Sequence, residues 1–273
     1  MSIVIIGKNS FLAQHYRDFI AQNQNGNMPY HFLSYRDVQN HNFSNVFSTA
    51  QCVINFACDP AIREGQASFF DLQCAQKAQE NGAYYIMISS RAVYGEGDHG
   101  GMITEQSEFL PTQSPYALGK RAVEAQLQSK IEKLIILRPS NIFGFEYQEP
   151  APRQTFFGQM LFSLKQRGQI SFDISTKVAR DFLPVDIFAH YIDLIARAPK
   201  AGIYNIGSMI GTPIHQIAQS VIDGYGQGSI IEGEEERDNF VLDCSCAQKM
   251  FNLPIITQSQ ILEACYDSGQ RLR

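Results

Sequence analysis

The chain has 273 residues, 44% of them hydrophobic and 18% charged, which is enough apolar material for a full α/β core in one large domain or two closely joined ones. A formal net charge of −5 removes the electrostatic reason to expect nucleic acid or an anionic membrane as a partner. No apolar run approaches the ~20 residues of a membrane span, and Met1-Ser2-Ile3-Val4-Ile5-Ile6 is too short and uncharged for a secretion signal, so a cytoplasmic protein is expected.

Ile3–Ile6 reads as a buried first strand. Gly7-Lys8-Asn9-Ser10-Phe11-Leu12-Ala13 follows it into a helix, the setting of a dinucleotide-binding turn. Gly7 suits the tight turn and Ala13 permits close helix–strand packing, whereas Ser10 puts a hydroxyl where backbone would otherwise approach a pyrophosphate. The second strand, His31–Ser34, should end near the adenosine ribose. No acid stands at its tip, where Tyr35-Arg36-Asp37 follow.

Further short, β-rich runs at Cys52–Ala57, Tyr84–Ile88 and Leu134–Leu137 read as fully buried parallel strands. Helical spacing occupies Phe69–Asn81, with Asn81-Gly82 as its C-terminal cap, and Tyr116–Lys130. This alternation predicts an α/β protein, a Rossmann-like doubly wound parallel sheet with a smaller C-terminal substrate-binding domain. The dinucleotide-binding domain is expected at 1–145, with 178–207 returning to it, and the substrate-binding portion at 146–177 and 208–273. The two prolines between Phe145 and Arg153 mark the exit from the cofactor domain. Cys52, Cys58, Cys74, Cys244, Cys246 and Cys265 contain no C-x-x-C pair, so reduced thiols are expected and no metal site.

Chemistry concentrates in Ser89-Ser90 and in Tyr116-Ala117-Leu118-Gly119-Lys120. A carbonyl–alcohol redox site needs a hydroxyl to bond the carbonyl oxygen and a phenol to exchange a proton with it. A phenol titrates near ~10 in water, and an ammonium four residues along the same helix face favours its anion. Two such residues alone are as readily a solvated helix face.

The surroundings decide between these readings. Ile88-Ser89-Ser90-Arg91-Ala92-Val93-Tyr94-Gly95 is followed by Glu105, Pro111, Ser114-Pro115-Tyr116, Lys120 and Glu124. Leu137-Arg138-Pro139-Ser140-Asn141-Ile142-Phe143-Gly144, Arg180-Asp181-Phe182-Leu183-Pro184-Val185-Asp186 and Gly202-Ile203-Tyr204-Asn205-Ile206-Gly207-Ser208 come next, in that order. Together they resemble the extended short-chain dehydrogenase/reductases, the NAD-dependent epimerase/dehydratase group acting mostly on nucleotide-activated sugars.

The resemblance implies Ser90, Tyr116 and Lys120 as catalytic residues. It implies a cofactor held by Gly7, Asn9, Ser10, Phe11, Leu12, Arg36, Phe56, Ala57, Cys58 and Ser89 together with Tyr116 and Lys120. Asn55-Phe56-Ala57-Cys58 would be the loop after a fourth strand, running beneath that cofactor. Arg36 resembles in position the arginine with which GDP-fucose synthase-like reductases pair a 2′-phosphate, the alternative being a solvated side chain. NADP(H) is therefore favoured, with NAD(H) possible.

Ser90, Arg91, Tyr116, Asn141 and Arg180 would meet the substrate. Arg180 matches the family's diphosphate arginine, or else pairs with Asp181 or Asp186; Asn141 reaches the same diphosphate, or else is a turn residue. The tract from Tyr147 to Asp173, with Arg153, Gln154, Phe156 and Phe157, is expected to carry specificity. Arg91-Ala92 stand where the family's 4,6-dehydratases have an Asp-Glu pair, which argues against dehydration. What remains is NADPH-dependent reduction of a nucleotide-diphospho keto-sugar of the 4-keto-6-deoxyhexose type, by a homodimer serving polysaccharide biosynthesis. An NAD-dependent nucleotide-sugar epimerase and a non-catalytic cofactor-binding sensor or scaffold are the alternatives.

Overall fold

Strands without a polar face must be covered on both sides, and the chain supplies that cover by placing a helix between most of its strands. The computed structural model describes all residues except 24–27, 40–43, 100, 147 and 152–154, and the side chains of 44 and 45 are likewise outside the described set. Its strands are β1 (Ser2–Ile6), β2 (Tyr30–Leu33), β3 (Ala50–Asn55), β4 (Tyr84–Ile88), β5 (Leu134–Pro139), β6 (Asn141–Phe143), β7 (Gln169–Ser171), β8 (Ala179–Pro184), β9 (Gly202–Ile206), β10 (Gly211–Pro213) and β11 (Ser229–Ile231). The helices of the first half are α1 (Phe11–Gln22), α2 (Tyr35–Gln39), α3 (Ser44–Phe47), α4 (Pro60–Arg63), α5 (Phe69–Glu80) and α6 (Pro115–Gln128). Those of the second half are α7 (Phe156–Arg167), α8 (Val185–Arg197), α9 (Ile214–Tyr225), α10 (Ser245–Phe251) and α11 (Gln258–Leu272).

The main sheet is wholly parallel in the order β2-β1-β3-β4-β5-β9. Alternation along each strand splits the core into two layers. Ile3, Ile5, Ile54 and Ile86 pack with Tyr16 of α1 and Phe188 of α8, while Val4, Ile6, Val53 and Met87 pack with Ala75 of α5 and Val123 of α6. The fold is therefore the doubly wound α/β architecture that the sequence predicts. Winding reverses between β1 and β3, and the crevice beyond their carboxyl ends is where such sheets bind ligands.

Two expectations meet a different structure. Asn55 ends the third strand rather than a fourth, because no strand lies between Leu33 and Ala50 among the described residues. A reciprocal cap turns the chain into helix straight after β2: the Ser34 hydroxyl accepts the Asp37 N–H at 3.0 Å, and the Asp37 carboxylate accepts the Ser34 N–H at 2.7 Å. Residues 141–143 and 179–184 pair in a separate three-stranded sheet, β10-β8-β6, whereas α8 and β9 return to the main sheet. The crossover is local. The Ser140 N–H still bonds the β9 carbonyl of Ile206 at 2.8 Å, and the next residue, Asn141, already pairs with Phe182.

Asp193 of α8 clamps that return. Its carboxylate accepts the Tyr16 hydroxyl at 3.0 Å, the Tyr30 hydroxyl at 2.7 Å and Arg197 Nε at 2.6 Å, joining α1, β2 and α8. Asp193→Ala leaves the buried Tyr16 hydroxyl without its acceptor and should lower unfolding stability by about 1–3 kcal/mol in urea denaturation, a cost typical of an orphaned buried hydroxyl. An unchanged midpoint would show that the clamp carries no load.

Candidate active site

At the end of β1 the backbone must turn sharply against its neighbour. Gly7 has φ +88°, and a Cβ there would lie 2.6 Å from the Ala57 amide nitrogen and 2.9 Å from the Phe56 carbonyl carbon. Only glycine fits this contact between the turns after β1 and β3. Asn55 holds the second turn, its carbonyl oxygen accepting the Ala57 N–H at 2.9 Å while its amide donates to Asp71 and the Tyr85 hydroxyl at 2.9 and 3.0 Å. Ser10 caps α1, and its Oγ accepts the Ala13 N–H at 3.2 Å, so the hydroxyl proton stays available to an outside acceptor.

All the residues that the sequence assigned to a cofactor line one cavity of about 850 Å³: Gly7, Asn9, Ser10, Phe11 and Leu12 of the first turn, Arg36, the loop Phe56, Ala57 and Cys58, and Ser89, Tyr116 and Lys120. The glycine-tight cradle and the helix N-terminus beside it suit a dinucleotide pyrophosphate. Lys8, which the sequence reading passed over, also lines the cavity, and its Nζ lies 3.2 Å from the Asp37 carboxylate. The tip of β2 is not free of acid either: the α2 cap folds Asp37 back onto the Ser34 amide. Those Ser34 bonds hold its carboxyl below the ordinary range.

Ser114 and Pro115 start α6 one residue before Tyr116, as cap and first-turn proline. Lys120, one turn on, is buried; its Nζ donates to the Ile88 carbonyl at 2.7 Å and sits 5.7 Å from the Tyr116 ring centroid. Gly119 between them presses on the Ile62 carbonyl oxygen so closely that no Cβ would fit. Ser90 is extended, and its Oγ accepts the Ala92 N–H at 3.1 Å. Its chain neighbours part company: Ser89 lines the cofactor cavity and Arg91 a second one.

Behind this stretch lies a buried polar network. The Ser89 hydroxyl bonds Glu124, and Arg138 bonds the same carboxylate through Nε at 3.1 and 3.2 Å and through Nη2 at 2.6 Å. Arg138 Nη1 also donates to the Tyr94 hydroxyl at 3.0 Å, which donates in turn to Asn205 Oδ1 at 2.6 Å. Burial works against the Arg138 charge, yet Glu124 more than offsets it and raises the guanidinium above its ordinary value. Arg138, Tyr94 and Asn205 were visible in the sequence only as members of motifs; their spacing carries no sign that they meet.

The second cavity, about 450 Å³, gathers Arg91, Asn141 and Arg180. Arg180 pairs with neither alternative acid. Asp181 accepts the Ser208 N–H and hydroxyl, each at 2.8 Å, and Asp186 lies 3.0 Å from His15 Nδ1, while Arg180 Nη1 donates to the Asp238 carbonyl. Asn141 spends both polar ends on protein, accepting Arg91 Nε at 2.8 Å and donating to the Asp181 carbonyl at 2.7 Å. Arg237, also unforeseen, stands at the exposed rim beside Glu235 at 2.9 Å. Burial and then Arg180 hold Arg91 down to about 10, and burial and then Arg237 lower Arg180. Of the specificity tract, Phe156 lines this cavity and Phe157 is core; Tyr147, Arg153 and Gln154 lie outside the described residues.

Among the described residues no His, Cys, Asp and Glu cluster could hold a metal, and no helix is long and apolar enough to cross a membrane. Glu124→Ala would strand the buried Arg138 charge. It should cost about 3–5 kcal/mol of unfolding free energy, the usual penalty for breaking one side of a buried pair. A loss under about 1 kcal/mol by denaturant titration would refute the network's structural role.

Comparisons with known proteins follow the same lines. A model described as the NAD dependent epimerase/dehydratase family matches residues 16–207. The chain spans about half the length of the curated relatives it matches, a human dTDP-D-glucose 4,6-dehydratase among them, 27% identical over 164 residues covering 58% of this chain and 44% of that one. Three solved structures share the fold over nearly all of both chains. A UDP-N-acetylglucosamine 4-epimerase from Methanobrevibacter ruminantium, in complex with UDP-N-acetylmuramic acid, has TM-score 0.80 and 18% identity over 98% of this chain and 97% of that one. RMD from Pseudomonas aeruginosa, complexed with NADPH, has TM-score 0.74 and 19% identity over 99% of each. A dTDP-glucose 4,6-dehydratase from Bacillus anthracis, in complex with NAD, has TM-score 0.79 and 17% identity over 99% and 97%.

Proposed function

The chain belongs to the NAD dependent epimerase/dehydratase family, and from that premise we propose that it reduces the ketone of a nucleotide-diphospho keto-sugar, of the 4-keto-6-deoxyhexose type, with NADPH. One observation carries the reading: in the chain Ser90 stands between Ser89, which lines a cavity shaped for a dinucleotide, and Arg91, which lines a second cavity with Asn141 and Arg180, and its next residues are Arg91 and Ala92 rather than carboxylates. Dehydration needs an acid and a base beside the sugar; reduction needs only a proton and a hydride.

When bound, the nicotinamide cofactor supplies the hydride to the carbonyl carbon. The Ser90 hydroxyl, already accepting from Ala92, donates its proton as a hydrogen bond to the carbonyl oxygen. Tyr116 transfers its phenolic proton to that oxygen, which leaves as the hydroxyl of a secondary alcohol. The ammonium of Lys120, anchored on the Ile88 carbonyl, stabilises the phenolate until solvent reprotonates it. Arg36 and Lys8 supply positive charge for a 2′-phosphate, and Arg180 for the substrate diphosphate. A homodimer is part of this reading, and the exposed apolar side chains Phe69 of α5 and Leu118 of α6 favour it.

A second reading, an epimerase working through tightly held NAD, is favoured by Asp37, whose carboxylate at the end of β2 is where an acid would bond a ribose 2′-hydroxyl. Affinity for NADPH against NADH, measured by fluorescence titration, separates the two. Arg36→Ala should narrow an NADPH preference by more than tenfold, since a charge-assisted contact is worth about 1.5–3 kcal/mol. A wild-type preference for NADH would favour the epimerase.

Tyr116→Phe removes the proton donor and should cut turnover of a keto-sugar by ~10²–10⁴-fold while cofactor affinity stays near wild type. Near-normal turnover in that variant would discard the assigned mechanism.

A further inference from the structure

Arg91 is held by one nitrogen and leaves two unspent. Its Nε donates to Asn141 Oδ1 at 2.8 Å and its guanidinium lies 4.8 Å from the Phe240 ring centroid, a stacking contact that fixes its plane. Among the described residues neither Nη atom has a hydrogen-bond partner. The two carboxylates whose charge acts on Arg91 are otherwise occupied: Asp181 accepts from Ser208, Met209 and Leu242, and Glu96 is exposed beside Arg237 at 3.7 Å.

Although Arg91 follows Ser90 in the chain, both of its anchors belong to the neighbourhood of Arg180. Asn141 bonds the Asp181 carbonyl, and the Phe240 backbone pairs with β8 on either side of Arg180, its N–H to the Ala179 carbonyl at 3.1 Å and its carbonyl to the Asp181 N–H at 2.9 Å. Both side chains line the second cavity, and after burial the Arg180 charge is what most disfavours that of Arg91. Arg237 already has Glu235. Glu96, Glu235, Glu236 and Asp238 line the same cavity, yet among the described residues no carboxylate forms an ion pair with Arg91 or Arg180, so both planar guanidiniums keep N–H groups with which to grip phosphate oxygens bidentately.

We propose that Arg91 is a ligand of the substrate diphosphate, acting as a pair with Arg180, and that Asn141 serves as the anchor of Arg91. The proposal rests on the nucleotide-sugar reading above and adds a residue-level grip to it.

The test loads the protein with NADPH and titrates it calorimetrically with UDP, GDP, CDP and dTDP, then with the monophosphate of whichever binds tightest. Arg91→Gln should weaken that diphosphate by at least tenfold, as Arg180→Gln should, with less than threefold change for the monophosphate and for NADPH. Arg91→Lys, which keeps the charge but not the planar fork, should lose about three- to tenfold, and it carries the test if the glutamine variant fails to fold. Diphosphate affinity unchanged in both Arg91 variants but lost in Arg180→Gln would overturn the proposal and spare the nucleotide-sugar reading. So would a loss confined to UDP-glucuronate and absent with UDP, which would put Arg91 on the glycosyl group. If no nucleoside diphosphate binds wild-type protein at millimolar concentration, the nucleotide-sugar reading falls and this proposal with it.

Discussion

A carboxylate and a guanidinium taken out of water together govern this molecule. Glu124 and Arg138 are each almost fully buried, and a pair in that position is tolerable only if every remaining lone pair and proton finds a mate. Most do here: Ser89 caps the carboxylate, and Tyr94 and the Glu105 carbonyl take the far side of the guanidinium at 3.0 and 3.3 Å. The pair joins α6, β5 and the end of β4. Because Lys120 lies one turn before Glu124 on α6, fixing the rotation of that helix about its axis also fixes where Tyr116 and Lys120 present their polar ends. The chemistry is thus positioned by groups that never touch it.

The two cavities are built on different principles. The first depends on backbone shape: Gly7 against Ala57, Gly119 against Ile62, and a helix start with unspent N–H groups. A dinucleotide needs close approach and dispersed donors, which backbone supplies without the entropy cost of ordering long side chains. The second depends on charged side chains, with Arg91 and Arg180 held by Asn141 of β6, by β8 and by Phe240 in a cavity that Glu96, Glu235, Glu236 and Asp238 also line.

Much of this was legible in the sequence, for physical reasons. Apolar runs with no polar face read as buried parallel strands, and Gly7, Ser90, Tyr116 and Lys120 sit in local motifs whose geometry repeats wherever the turn or helix does. What escaped was either reciprocal or remote. The cap between Ser34 and Asp37 made a helix where an additional strand was counted, and it needs two side chains to be considered at once. Arg138 with Asn205, and Arg91 with Asn141, are separated by tens of residues, and only the folded sheet order makes them neighbours. Arg237 lies in an acidic exposed stretch, where a charge run reads as solvated surface.

Charge balance at the end of β2 shows how little separates two cofactors on one scaffold. Arg36 and Lys8 bring two positive charges to the cavity wall, and Asp37 withdraws one of them by pairing with Lys8. For a 2′-phosphate, the carboxylate is a repulsive neighbour unless Lys8 remains between them; for a 2′-hydroxyl, the same carboxylate is an acceptor and Arg36 is idle. The Ser34 amide and Lys8 both bond one oxygen of the Asp37 carboxylate, the former a bond that also starts α2. One side chain thus serves both as the cap of α2 and as the counter-charge to Lys8 on the cavity wall.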